Sequence, residues 1–155
     1  QRVLEQIGDI AGFTNFPVHV EVRMDRDGNV TPIEFNPMRF AGWCVTDLAH
    51  FAYGINPYVY YFEDQEPDWS AILEGKDGRV YSLVLIDVPK GQEAATIKSF
   101  DYDAVSRIFG KVLEFRAIDF HEYPVFAFAF IETAADSHEL ETVLKMDFSK
   151  FVSTF

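Results

Sequence analysis

The chain holds one cysteine, Cys44, in 155 residues. No intrachain disulfide can form, and a reducing compartment, the cytoplasm, is the expected location. Positive charge is also scarce. With 13 Lys and Arg against 25 Asp and Glu, the formal net charge is −12. A field of that sign argues against nucleic acid and anionic membrane surfaces as partners, and suits metal ions or basic partners better. No apolar run approaches the roughly 18 residues that would span a bilayer. The opening QRVLEQIGDI also lacks the charged-then-apolar layout of a signal peptide. Residues 1–75 contain no lysine at all. Gly-rich phosphate loops, zinc motifs, Ser-His-Asp arrangements, internal repeats and low-complexity segments are missing as well.

What is present is a core. Hydrophobic residues make up 48% and aromatics 16% of the chain, enough for one globular domain with a small appended layer. Val3, Leu4 and Ile7 recur at helical spacing and predict a helix over 2–11. The chain starts without Met and without an N-cap before that helix, which suggests an upstream segment. FPVHVEVRMD alternates apolar and polar residues as a half-buried strand, Asp27-Gly28 signals a type I′ turn, and VTPIEFN forms the return strand. PMRFAGWCV reads as a loop. Thr46 then caps a helix with Leu48, Phe51 and Ala52 that stops at Gly54, NPYVYYF supplies a helical turn or two, and Asp68 begins a short helix over 68–74.

Further on, VYSLVLIDV (80–88) predicts a strand buried on both faces. Asp101 caps a helix with Tyr102, Val105, Ile108 and Phe109, and KVLEFRAIDF is a strand. VFAFAFIET sets Phe126, Phe128 and Phe130 on one face and Ala127 and Ala129 on the other. Asp136 and Glu139 make a capping box before Leu140, Val143 and Leu144, and a last helical turn lies near Phe148 to Val152. The fold class is α+β.

The hairpin carries the chemistry. A two-residue Asp27-Gly28 loop pairs Arg26 with Asn29 and Asp25 with Val30, which brings Glu21 opposite Glu34 and His19 opposite Asn36. Like charges directly across a ladder are destabilising. A divalent cation between the carboxylates would resolve that, and magnesium prefers a few hard oxygen ligands completed by phosphate and water. Glu34 and Asn36 share a face, so three oxygen donors converge. The plain alternative is two glutamates on a solvated sheet face, and a one-residue slip would part them. The run Asp25-Arg26-Asp27-Gly28-Asn29-Val30 has oxygens at alternate positions like an EF-hand loop, but Val30 stands where glycine is needed and Asn36 where a bidentate glutamate is needed. It reads as an exposed turn.

The stretch FPVHVEVRMDRDGNVTPIEFNPMRFAGW, residues 16–43, resembles the end of the ATP-grasp core, where an acidic residue on one strand precedes a Glu-x-Asn on the next. Its continuation WCVTDLAHFAYGINPY resembles uncharacterised bacterial ATP-grasp proteins. The resemblance implies that Glu21, Glu34 and Asn36 hold Mg2+ or Mn2+ for ATP, in an enzyme that activates a small carboxylate as an acylphosphate for attack by an amine or thiol. It implies the C-terminal subdomain of an ATP-grasp fold, an antiparallel hairpin with helices, over 1–62. An α+β extension over 63–155 would pack on it or build a homodimer interface. Several such ligases read Glu-x-Asn-x-Arg. Here Met38 holds the arginine's place and Arg39 follows, either taking over phosphoryl charge stabilisation or capping carbonyls of its own loop. Arg23, on the face of Glu21, would meet ATP phosphate or a neighbouring glutamate. The family's nucleotide-gripping lysines lie upstream of the matching segment, so a fragment of a longer ligase, inactive alone, is expected. The competing reading is a non-catalytic binding or oligomerisation module with a relic acidic hairpin.

Other residues have plainer roles. Cys44 reads as a buried small hydrophobe rather than a nucleophile. His19 reads as a hydrogen-bonded structural histidine, or a further ligand. His50, His121 and His138 show no metal-ligand spacing. Tyr53, Tyr58, Tyr60, Tyr61 and Phe62 read as aromatic packing between core and extension before adenine stacking.

Overall fold

The computed structural model describes residues 2–12 and 14–155, with the backbone alone for Arg2 and Val3. The apolar role expected of the Val3 side chain therefore lies outside the described residues. The chain forms two compact units, one running to Thr46 and including Asn56–Glu66, the other comprising Asp47–Ile55 and Pro67–Phe155.

The first unit is built on helix α1 (Arg2–Ala11) and the hairpin of β1 (Val18–Met24) and β2 (Val30–Pro37), with helix α3 (Pro57–Phe62). Helix α2 (Val45–Tyr53) begins at its end. One hairpin face is apolar: Val18 and Phe35 join Leu4, Ile7 and Phe16 around a cleft of about 360 Å³. The other face carries His19, Glu21, Arg23, Glu34 and Asn36. Asn56 caps α3 by accepting from the Tyr58 amide at 3.0 Å, with Pro57 at the first position, where its missing N–H costs nothing. Phe40 meets Tyr58 and Tyr61 edge to face at 4.8 and 5.7 Å. The Tyr61 hydroxyl donates to the Asn15 carbonyl. Tyr58 and Tyr61 thus pack on Phe40 of the same unit.

The second unit is a three-stranded antiparallel sheet in the order β3 (Arg79–Asp87), β6 (Val125–Ala134), β5 (Val112–Ala117). Central β6 is buried on both faces from Val125 to Thr133. Register assigns the faces. Ala127, Ala129 and Ile131 oppose Ile86, Val84 and Ser82. The two alanines leave room for Val105 of α5 (Tyr102–Ser106), Val143 of α6 (Glu139–Leu144), and Ile97 and Phe100 of β4 (Ile97–Phe100) in one cluster. Phe126, expected to share a face with Phe128 and Phe130, instead joins this cluster and stacks on Phe100 at 4.0 Å, because the ladder is irregular there, Ile86 opposing Ala127 and Asp87 opposing Val125. The opposite face, with Phe128, Phe130 and Glu132, receives α2: Phe51 meets Phe130 at 4.9 Å and Tyr53 meets Tyr81 at 5.2 Å. Asp47 pairs with Arg116 at 3.2 Å. Helix α4 (Trp69–Leu73) is capped by Asp68 and α5 by Asp101, as the sequence predicts.

Several expectations change. Thr46 lies inside α2, one residue past its start, because Cys44 takes φ +61° and the helix begins directly after it. Strand β3 is less buried than its composition suggests, since it lies at the sheet edge with Leu85 45% exposed. Helix α5 ends at Ser106, so Ile108 and Phe109 enter the core from the turn beyond it. No Asp136 capping box forms. The N-cap is His138 without a side-chain bond, and Glu139 instead accepts from the Gly110 amide at 2.8 Å. The small sheet of β4 with β7 (Val152–Thr154) is unforeseen, both strands being too short for a periodicity signal.

Candidate metal centre

The site is made by hairpin register, and the register has two irregularities. The turn is not the two-residue type I′. Gly28 alone has positive φ, at +83°, and its amide donates to the Asp25 carbonyl, so the loop is Arg26-Asp27-Gly28 closed by the Asp25 amide bonding to the Asn29 carbonyl at 3.0 Å. The Asp25 carboxylate fixes this choice by accepting from the amides of Asp27 and Asn29, both at 2.9 Å, and from the Asn29 side chain at 2.8 Å. These hydrogen bonds, led by the Asn29 side chain, hold its pKa below the ordinary value. The EF-hand-like run is therefore a turn stapled by its own aspartate.

That loop pairs Met24 with Val30, Arg23 with Thr31 and Val22 with Pro32. Continued unbroken, it would oppose Glu21 to Ile33 and send Glu34 and Asn36 to the apolar face. A bulge intervenes. Ile33 has no partner on β1, and beyond it Glu21 opposes Glu34, Val20 Phe35 and His19 Asn36. Loop and bulge each add one residue of offset and cancel, so both registers agree at the acidic pair and differ only toward the tip. The observed tip keeps Val22 and Met24 opposite Pro32 and Val30, and Arg23 opposite Thr31.

Glu21 and Glu34 are exposed, and among the described residues neither side chain makes an ion pair or hydrogen bond. Arg23 is exposed and unpaired in the same sense, without the glutamate partner that composition allowed. Asn36 is half-buried, its Nδ2 atom and the Nδ1 atom of His19 both buried without a partner. Met38 leaves the strand with φ +63°, anchored by its amide donating to the Pro17 carbonyl at 2.8 Å, and its side chain is exposed. Arg39 follows in the loop, exposed, with no carbonyl bonded among the described residues.

The donor set is two carboxylates and one amide on one sheet face, all hard oxygens, which fits a magnesium ion that takes its remaining ligands from phosphate and water. No group of three or more His, Cys, Asp or Glu able to hold a metal occurs among the described residues, so a richer site for zinc is not offered there. Cys44 is buried. His50 and His121 are exposed, and His138 lies 3.9 Å from Glu141 across a helix turn. His19 is the residue whose part pattern alone left open. Its position opposite Asn36 follows from the same parity that brings the glutamates together.

Residues 1–47 match the family model of the ATP-grasp domain. The match covers α1, the whole hairpin and the loop into α2, and stops short of residue 62, to which the resemblance extended. Over those residues the chain is similar to the ATP-grasp domain. No curated protein and no solved structure matches the chain significantly. No helix among the described residues is long and apolar enough to cross a membrane.

Proposed function

With residues 1–47 taken as ATP-grasp sequence, we propose that Glu21, Glu34 and Asn36 form the magnesium-binding floor of an ATP site in a carboxylate ligase. The observation that carries this is Glu21 directly opposite Glu34 with Asn36 two residues on, a pairing regained by a bulge after the loop has shifted it. Two bare carboxylates held face to face repel in the absence of a cation. Magnesium bound there would neutralise phosphate oxygens and hold the transferring group in line.

The chain's own residues orient the site. His19, opposed to Asn36, can accept from the amide through an unprotonated Nδ1 atom. That would satisfy both orphaned nitrogens and leave the amide oxygen as the free donor to a cation. Arg39, placed beyond the Met38 kink, would set its guanidinium against developing phosphoryl charge, and Arg23 would meet phosphate from the Glu21 side. The substrate would be a small carboxylate activated as an acylphosphate and attacked by an amine or thiol, in a cytoplasmic enzyme. The relic-hairpin reading takes its support from Met38 standing in place of the family's arginine.

Calorimetric titration of Mg2+ and of Mg-ATP into the chain separates the two. Saturable heat lost in Glu34→Gln but kept in Asp25→Asn, which alters only the turn, supports the metal floor. Equal heats in all three proteins would assign the binding to diffuse acidic surface and favour the relic.

A further inference from the structure

The outer edge of β3 is an unblunted strand edge, and we propose that it pairs antiparallel with β3 of a second copy, joining two three-stranded sheets across a two-fold axis at Leu83. This is independent of the metal reading. The phase of the ladder defines what the edge presents. The Gly78 carbonyl accepts from the Ala135 amide at 2.9 Å, so Val80, Ser82, Val84 and Ile86 bond to β6, and Tyr81, Leu83 and Leu85 turn their N–H and C=O groups outward. Such an edge ordinarily carries charge, proline or a bulge against chance pairing. Between Val80 and Ile86 there is neither charge nor proline. The opposite edge, β5, is protected in the usual way by Glu114 and Arg116.

The sequence RVYSLVLID is self-complementary when reversed. Pairing Leu83 with its own copy sets Tyr81 opposite Leu85 and Arg79 opposite Asp87 at both ends, with like-facing side chains. Sliding the axis by one residue breaks both ion pairs. Asp87 is exposed with no ion pair among the described residues, and the Arg79 side chain remains 49% exposed beside Glu132. Apolar surface flanks the same edge. Two cavities, of about 440 and 280 Å³, are each lined by Val84 and Leu85, which point to opposite faces, so each reaches the strand edge. Leu144 of α6 borders both and is 83% exposed. A strand added at this edge would lay its own Ser82 and Val84 against that groove.

Sedimentation velocity on the 155-residue chain should show a concentration-dependent species of twice 17.8 kDa. Arg79→Asp and Asp87→Arg each place like charges at both ends, and each should weaken self-association by about tenfold. Mixed in equal amounts, they restore both ion pairs in the heterodimer and should recover association. Because Arg79→Asp also removes a partner of Glu132, amide exchange on the unaltered chain provides a second readout. The amides of Tyr81, Leu83 and Leu85 should gain protection as concentration rises. A chain that stays monomeric, a mixture that fails to recover, or edge amides whose exchange is independent of concentration would overturn the proposal.

Discussion

Glu21 faces Glu34 across the hairpin because Ile33 bulges out of the ladder between them and the turn. Two uncompensated carboxylates at that spacing oppose folding by roughly 0.2–1 kcal/mol. Glu34→Gln should therefore raise the thermal midpoint slightly in EDTA and abolish the further rise that magnesium gives the unaltered chain. Scanning calorimetry with and without Mg2+ checks both halves. A substitution that lowers stability equally in both buffers would mean that Glu34 serves the fold rather than a cation.

The turn and the pair are separable. Asp25→Ala removes the acceptor for the Asp27 and Asn29 amides and the Asn29 side chain, leaving Asp27-Gly28 free to form a two-residue type I′ loop. Cross-strand NMR contacts should then move from Met24–Val30 to Met24–Thr31 while Glu21 stays opposite Glu34. Loss of the Glu21–Glu34 contact would show instead that the bulge depends on the turn.

This explains how much of the site was legible in sequence. Strand parity and an assumed Asp-Gly loop reached the correct acidic pair although the loop is one residue longer, because the bulge at Ile33 cancels the difference. Nothing local announced either irregularity: the turn was decided by one carboxylate's hydrogen bonds, and the tip by keeping Val22 and Met24 against Pro32 and Val30. The alternation of β6 was readable from Ala127 to Ile131 for the same reason, period two with unequal side chains on the two faces, but not at Phe126, where an irregularity in the ladder with β3 turns the side chain into the alanine-side cluster. Caps at Asp68 and Asp101 act within three residues and were readable too. Glu139 was misread because its partner, Gly110, is 29 residues away, and the β4–β7 pair because it too is long-range.

Glu132 is a buried carboxylate on the central strand, clamped by Lys111, just before β5, at 2.7 Å and by Arg79 of β3 at 3.3 Å. The Lys111 hydrogen bond, aided by the charges of Lys111, Arg79 and Lys76, outweighs burial and holds its pKa below the ordinary 4.5. A lowered folded pKa means stabilisation that is complete above the unfolded value and lost as pH falls through the folded one. Glu132→Gln should cost about 1–3 kcal/mol at neutral pH. In denaturant melts the gap from the unaltered chain should close as pH falls below the ordinary 4.5 and through the lowered folded value, and a gap constant with pH would assign the loss to packing.

Lys76 holds the C-terminal end of α2 against the sheet, its ammonium donating to the Ala52 carbonyl at 2.8 Å and lying 5.6 Å from the Tyr81 ring. Lys76→Met keeps the apolar stem and removes the charge at a helix C-terminus, an expected loss of about 0.3–1 kcal/mol. Amide exchange should report it as faster opening at Gly54, whose amide bonds to the His50 carbonyl, with the β6 amides unchanged. Uniform loosening of both would place Lys76 in the global core instead.

If a cation sits on the polar face of the hairpin, paramagnetic NMR with Mn2+ locates it at its ligands. At low Mn2+, broadening should start at Glu21, Glu34, Asn36 and His19 and be displaced by excess Mg2+, before the turn at Asp25 and Asp27 is touched. Broadening that begins at the turn, or spreads evenly over the acidic surface of the chain, would contradict the account.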